Sequence, residues 1–203
     1  MSNVTTVLLV RHGATDWIGR AVAGHTPDIH LNDEGCRQAD QVCTRLAALP
    51  IRAVYTSPLE RARETAAPLA AALGIPLTTC DEAIEIGFGI WTGVAFSALQ
   101  ADDRWRRFNL WRSFTRAPSG ELMLDVQLRI VRAIERIREN HPGEAIALFS
   151  HGDVIRAAVT YFAGIPLDLF QRIEIQPASV STLRFYDDSV VILGVNDTGT
   201  LYT

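Results

Sequence analysis

Cysteine is scarce in this chain, with three residues among 203. Cys36 and Cys43 fall in one predicted helix, two turns and roughly 10 Å apart. That separation exceeds the limit of about 7 Å between the Cα atoms of a disulfide. We therefore expect free thiols and a reducing, cytoplasmic environment.

Long apolar runs are also missing. No stretch approaches the roughly 20 apolar residues that a membrane-spanning helix needs, so no membrane association is expected. The N-terminal sequence MSNVTTVLLVRHG has no basic residue before its short apolar run and no small-residue cleavage site. This pattern predicts a first β-strand and not a signal peptide.

The chain has no surplus of positive charge, with a formal net charge of −4 and a pI of about 5.7. This balance argues against a nucleic-acid-binding protein, whose usual signature is a basic patch. Any anion-binding site must therefore be built locally from a few arginines. Hydrophobic residues make up 48% of the chain, which is enough for a full-sized core.

Short apolar runs alternate with helical patterns along the whole chain. The predicted strands cover residues 7–10, 52–56, 145–149 and two segments within 179–196, and the predicted helices cover residues 32–49, 57–74, 122–140 and 153–162. Residues 94–120 are rich in arginine and tryptophan and are expected to form a helical insertion or lid. Most of its arginines are expected to lie in water with the aromatics packed inward, while one or two arginines face the binding crevice. The alternation predicts one domain over residues 1–203, a three-layer α/β/α sandwich with a mostly parallel central sheet.

Two predicted strands end in the same way, with a histidine followed by a glycine. His12 and Gly13 follow the first strand, and His151 and Gly152 follow the strand at 145–149. Ligands of open parallel sheets bind at the carboxyl ends of the strands. If the two strands are neighbours, both imidazoles face one crevice; otherwise they are unrelated loop residues.

Arginines accompany these histidines. Arg11 precedes His12, and Arg61 falls in the first turn of a helix whose predicted cap is Ser57. A cation opposes the helix dipole at that end, and a bound anion would remove the conflict. Arg63 points elsewhere and is expected to be a surface residue. The two guanidinium groups and the two histidines together predict a binding site for phosphate oxygens.

Several phosphate-related motifs are absent. The chain contains no Gly-x-x-x-x-Gly-Lys-Ser/Thr loop, no strand-linked Gly-x-Gly-x-x-Gly and no Gly-x-Ser-x-Gly elbow. A phosphate site without a nucleotide-binding loop favours a small phosphorylated substrate.

These motifs together resemble the histidine phosphatase superfamily, in its phosphoglycerate-mutase-like branch. The matching stretches are LLVRHGATDW at 8–17, LNDEGCRQA at 31–39, YTSPLERARETA at 55–66, EIGFGIWTG at 85–93, PSGE at 118–121 and SHGDVIRA at 150–157. Their order and spacing also fit, and the resemblance covers nearly the whole chain.

The resemblance implies a phosphatase that forms a phosphohistidine on His12. It implies that Arg11, Arg61 and His151 hold the phosphoryl oxygens and that Glu85 is the proton donor. Such chemistry depends on positioning and charge stabilisation, and it needs neither a metal nor a cofactor.

Further contacts to the substrate are expected from Gly13, Thr15 and Gly152. Glu82 and Glu121 are rivals of Glu85 for the role of acid, and Glu121 is also a candidate for positioning Glu85 or the substrate.

The chain departs from the family pattern at a few positions. Ala14 and Thr15 replace the usual Glu-Thr or Gln-Ser pair, and Ile18 replaces an asparagine. Thr92 replaces the glutamate of the Trp-Glu-Gly motif that is common in the family. Loss of the asparagine removes one polar phosphate contact, so the affinity or the substrate range is expected to differ.

Three other functions stay open. A mutase would return the phosphate to its substrate, although mutases of this family are longer after the Glu85 region. A catalytically inactive member would bind a ligand or a phosphoprotein. A metal hydrolase would use His12, His25, His30 and His151, whose spacing matches no common metal pattern. The substrate and the oligomeric state, with a homodimer among the candidates, are not determined by the sequence.

Overall fold

A six-stranded sheet forms the centre of the molecule in the computed structural model, which describes residues 4–199. The strands are β1 (Thr5–Arg11), β2 (Ile51–Thr56), β3 (Leu77–Thr79), β4 (Ala145–Ser150), β5 (Val180–Phe185) and β6 (Val190–Asp197), in the spatial order β3-β2-β4-β1-β5-β6. The first four strands pair in parallel, and β5 and β6 add an antiparallel edge.

Helices cover both faces of this sheet. They are α1 (Asp33–Ala47), α2 (Glu60–Leu73), α3 (Phe96–Leu99), α4 (Asp103–Leu110), α5 (Met123–Asn140) and α6 (Gly152–Phe162). Leu8 and Val10 of β1 belong to the core under α1 and α2, whereas Val7 and Leu9 belong to the core under α5 and α6. This alternation, with both faces buried, confirms the predicted α/β/α sandwich.

The first two helices begin differently from one another. Asn32 caps α1 as predicted, because its side chain accepts a hydrogen bond from the backbone N–H of Gly35 at 2.9 Å. The prediction that Ser57 caps α2 is wrong. That helix begins at Glu60 after Leu59, and the Ser57 hydroxyl lies 2.7 Å from Nε2 of His151.

The insertion (residues 94–120) contains α3 and α4 and packs through aromatic rings. Trp105 contacts Trp91 and Phe108, with ring centroids 5.1 and 5.9 Å apart. The expectation of inward-facing aromatics is wrong for Trp111 and Phe114, whose side chains are exposed. Arg112 is 3% exposed, and the other four arginines of the insertion are exposed, as expected for most of them.

Candidate active site

The two strand-end histidines lie side by side. β1 and β4 are parallel neighbours in which Arg11 is opposite Ser150, so the next residue of each strand reaches the same edge. The ring centroids of His12 and His151 are 5.2 Å apart, and both residues are buried. The sheet therefore brings together two imidazoles that are far apart in the sequence.

The ring of His12 is oriented by its own neighbour in the chain. Nδ1 lies 2.7 Å from the carbonyl oxygen of Gly13, which can only accept a hydrogen bond. Nδ1 must therefore carry the proton, and Nε2 keeps its lone pair. Burial holds the pKa of His12 well below its ordinary value, and Arg11 and Arg61 lower it further. His12 is a neutral imidazole with a nucleophilic nitrogen.

His151 lies beside His12 and is fully buried. Its Nε2 lies 2.7 Å from the Ser57 hydroxyl, and its Nδ1 has no hydrogen-bond partner within residues 4–199. Burial lowers the pKa of His151, as does the nearby Arg61, so this imidazole is also neutral.

Arg11 and Arg61 lie close to His12, and neither forms a salt bridge within residues 4–199, although the Glu85 carboxyl interacts with both. Arg11 donates to the carbonyl of Ile175 at 2.7 Å, and Arg61 donates to the carbonyl of Gly24 at 2.9 Å. Nε of Arg11, and Nε and Nη1 of Arg61, are buried without a partner in the described part of the chain. Because buried N–H groups without a hydrogen-bond partner are costly, this arrangement favours the binding of an anion.

Glu85 lines the same cavity as these arginines, and its side chain is a carboxyl group. Its Oε1 accepts a hydrogen bond from the backbone N–H of Ile86 at 2.9 Å. Burial raises the pKa of Glu85 to about 7, and the negative charge of Asp153 acts in the same direction. A carboxyl group with this pKa can both give and take a proton near neutral pH.

The two rival glutamates lie outside the cavity wall. Glu82 pairs with Arg136 at 2.8 Å, and this hydrogen bond lowers its pKa. Glu121 accepts from the backbone N–H of Gly87 at 2.7 Å and pairs with Arg129, which also donates to the carbonyl oxygen of Glu85. Glu121 is therefore placed to position the Glu85 segment.

The other expected substrate contacts divide into two groups. Thr15 and Gly152 line the cavity, and a Cβ on Gly152 would lie 3.4 Å from Nε of Arg11. Gly13 does not line it. A Cβ there would lie 2.7 Å from the carbonyl oxygen of Gly35, so Gly13 permits close packing against the start of α1.

A cavity of about 310 Å³ opens in front of His12. The apolar residues of its wall include Ile18, Val22, Phe88, Phe96 and Trp105. A second group of polar residues in its wall consists of Asn109, Arg112, Asp153, Arg156 and Gln171. The volume is within the range of small-molecule sites, about 300–1,000 Å³.

Most residues of this second polar group were not identified as site residues from the sequence. Asp153 and Arg156 directly follow the Ser-His-Gly motif, and this proximity was a usable signal. Asn109 and Gln171 gave no signal, because they come from segments that meet only in the fold. Arg112 is one of several arginines in the insertion, of which one or two were expected to face the crevice.

The remaining histidines lie elsewhere. His25 contacts the backbone carbonyl oxygen of Glu85, outside the cavity wall, and His30 pairs with the carboxylate of Glu64. Over residues 4–199, no three histidine, cysteine, aspartate or glutamate side chains are grouped as a metal site would require. No helix within the same range is both long and apolar enough to cross a bilayer.

A neutral histidine beside two arginines at the edge of an α/β sheet is an arrangement suited to binding an anionic group. The model of the histidine phosphatase superfamily (branch 1) matches residues 7–198. The chain belongs to this superfamily.

Individual relatives agree with this assignment. The chain is 32% identical over 200 residues to the Bifunctional protein Rv2228c of Mycobacterium tuberculosis, covering 97% of this chain and 55% of that protein. It is 28% identical to Phosphoserine phosphatase 1 of Hydrogenobacter thermophilus, covering 95% and 92% of the two chains. The structure of YhfR from Bacillus stearothermophilus matches with a TM-score of 0.87 and 30% identity, covering 95% and 97%.

Proposed function

We propose that this protein is a phosphomonoester hydrolase that acts on a small phosphorylated metabolite through a phosphohistidine on His12. The observation that carries the proposal is the pair Arg11 and Arg61, whose buried N–H groups without partners lie close to a neutral His12. The phosphatase named among the relatives, which acts on phosphoserine by its name, supports the same reaction class.

The first half of the reaction transfers the phosphoryl group to the enzyme. Nε2 of His12 forms a bond to phosphorus while the bond from phosphorus to the ester oxygen breaks. The protonated carboxyl of Glu85 gives its proton to the leaving oxygen, so an alcohol departs. Arg11 and Arg61 balance the charge on the phosphoryl oxygens, and Nδ1 of His151 is the remaining candidate for such a contact.

The second half releases phosphate. Water attacks the phosphohistidine, and its proton passes to the carboxylate of Glu85, which is thereby restored to its acid form. The bond between phosphorus and Nε2 breaks, and inorganic phosphate leaves. A pKa of about 7 suits Glu85 to both halves, because neither its acid nor its base form is rare at neutral pH.

The experiment that tests this function is a phosphate-release screen across sugar phosphates, phosphoglycerates, nucleotides and phosphorylated cofactor precursors. We expect release from at least one class and loss of that release in His12→Ala. Isomerisation of a phosphoglycerate without phosphate release would indicate the mutase instead. Tight binding without any turnover would indicate an inactive member of the superfamily.

We also predict that activity is independent of added metal. Arg11 and Arg61 supply positive charge at the site, so no divalent cation is required to balance the phosphoryl oxygens. Dialysis against a strong chelator is expected to leave kcat and KM unchanged. A loss of activity that zinc or magnesium restores would support the metal-hydrolase alternative.

A further inference from the structure

Asp153 pairs with two arginines in the wall of the cavity. Its Oδ2 accepts from Nη1 of Arg112 at 3.1 Å, and its Oδ1 accepts from Nη1 of Arg156 at 3.0 Å. Burial alone would raise the pKa of Asp153, but the two arginines outweigh it and hold the pKa below its ordinary value. Asp153 is therefore a buried, ionised carboxylate.

Arg112 connects this carboxylate to the insertion. Its guanidinium lies over the ring of Phe108 at 4.0 Å and over that of Phe170 at 4.9 Å, and its Nη2 donates to Oδ1 of Asn109 at 2.7 Å. Because Asp153 lies in the first turn of α6, the ion pair fastens the insertion to the helix that starts beside His151. Nε of Arg112 has no hydrogen-bond partner in the described part of the chain.

We propose that Asp153 is a positioning residue of the reaction, which fastens the insertion over the cavity and presents a fixed negative charge to Glu85. All three residues of this unit, Arg112, Asp153 and Glu85, line the same cavity. The role in the reaction rests on the proposed function, whereas the charge interaction with Glu85 does not.

Glu85 is surrounded by several charged groups. Arg11 of β1, Arg61 of α2, Arg112 of the insertion and Asp153 of α6 all interact with it, and Arg129 of α5 contacts its backbone carbonyl. The two histidines beside it are neutral. Apart from burial, Asp153 is the group that opposes the ionised form of Glu85, while Arg61 and Arg11 favour it. Removing the charge of Asp153 must therefore lower the pKa of Glu85.

The test uses Asp153→Asn and follows the Glu85 carboxyl carbon by NMR as a function of pH, with Glu85→Gln to assign the signal. The midpoint should move from about 7 to a lower pH, by about one unit. The alkaline fall in kcat/KM for an alkyl phosphate should move in the same direction. An unchanged midpoint would overturn the proposal.

Asp168→Asn is the matched control. Asp168 holds the same insertion, because it accepts hydrogen bonds from the backbone N–H and the hydroxyl of Ser113, both at 2.8 Å. Asp168 does not line the cavity and is not among the groups that shift Glu85. The control should therefore leave the Glu85 midpoint unchanged. An equal shift in both variants would mean that loosening of the insertion, and not the charge, is responsible.

Arg156→Gln extends the test and does not require the buried ion pair to be broken. It removes one of the two cations that offset Asp153 and leaves the pair with Arg112 intact. The Glu85 midpoint should then rise, opposite to its movement in Asp153→Asn. A fall would contradict the proposal. The titration is read without substrate, so failure of the proposed function would appear separately, as absence of phosphate release by the native protein.

Discussion

His12→Ala is expected to abolish turnover, with kcat reduced by about 10⁴-fold or more, as for removal of other nucleophiles. The substitution removes the nitrogen that is proposed to bond to phosphorus, whereas Arg11 and Arg61 stay in place. The fold should persist, because the imidazole makes one hydrogen bond, to the adjacent Gly13. Steady-state phosphate release and far-UV circular dichroism measure the two effects.

His30→Ala is the control for this variant, because His30 is exposed and pairs with Glu64 away from the cavity. It should retain native kcat. Quenching the native enzyme with labelled substrate should leave an acid-labile, base-stable label on His12. Full activity in His12→Ala, with the label on another residue, would refute the assignment of the nucleophile.

Glu85→Gln is expected to discriminate between leaving groups. An alkoxide needs a proton as the ester bond breaks, whereas a nitrophenolate hardly needs one, and general acid catalysis contributes about 10²–10⁴ in rate. We expect kcat/KM to fall by a factor in that range for a sugar phosphate and far less for nitrophenyl phosphate. The ratio kcat/KM is the appropriate measure, because it excludes the later attack of water on the phosphohistidine.

The native enzyme should show the matching pH dependence. Because Glu85 loses its proton as the pH rises through its pKa of about 7, kcat/KM for the sugar phosphate should decline above that pH. Glu82→Gln is the control and should show no dependence on the leaving group, whereas Glu121→Gln, which affects only the position of Glu85, should show less than Glu85→Gln. Equal losses for both substrates in Glu85→Gln would instead indicate a positioning role for this carboxylate.

The proximity of His12 and His151 was predictable only on the condition that their strands are neighbours, because parallel strands bring their carboxyl ends to one edge. The fold meets that condition, since β1 pairs with β4. The cap of α1 was predictable for a similar reason, since Asn32 and its partner Gly35 are three residues apart. The cap of α2 was not. Ser57 has the local pattern of a cap, but its hydroxyl lies beside His151, which is 94 residues away. A local signal was overridden by a tertiary contact.

The electrostatics of the site also depend on contacts between residues that are distant in the sequence. The resemblance implied Glu85 as the acid, but its raised pKa depends on burial and on Asp153, 68 positions further along the chain. Likewise, the sequence could not separate Arg112 from its exposed neighbours. Arg112 is buried because α4, the 3₁₀ turn at Leu167–Arg172 and the start of α6 supply Phe108, Phe170 and Asp153 around it.

Apart from the short edge strand β3, which was not predicted, the sequence by itself determined the order of strands and helices and the residues that end the other parallel strands, because periodicity and capping act over a few residues. It also determined the superfamily, through motifs such as Arg11-His12-Gly13. Tertiary structure alone decided that N–H groups of the arginines beside His12 are buried without partners and that the charge of Asp153 acts on Glu85. Burial and charge act through space between segments distant in the chain, so local sequence patterns do not reveal these features.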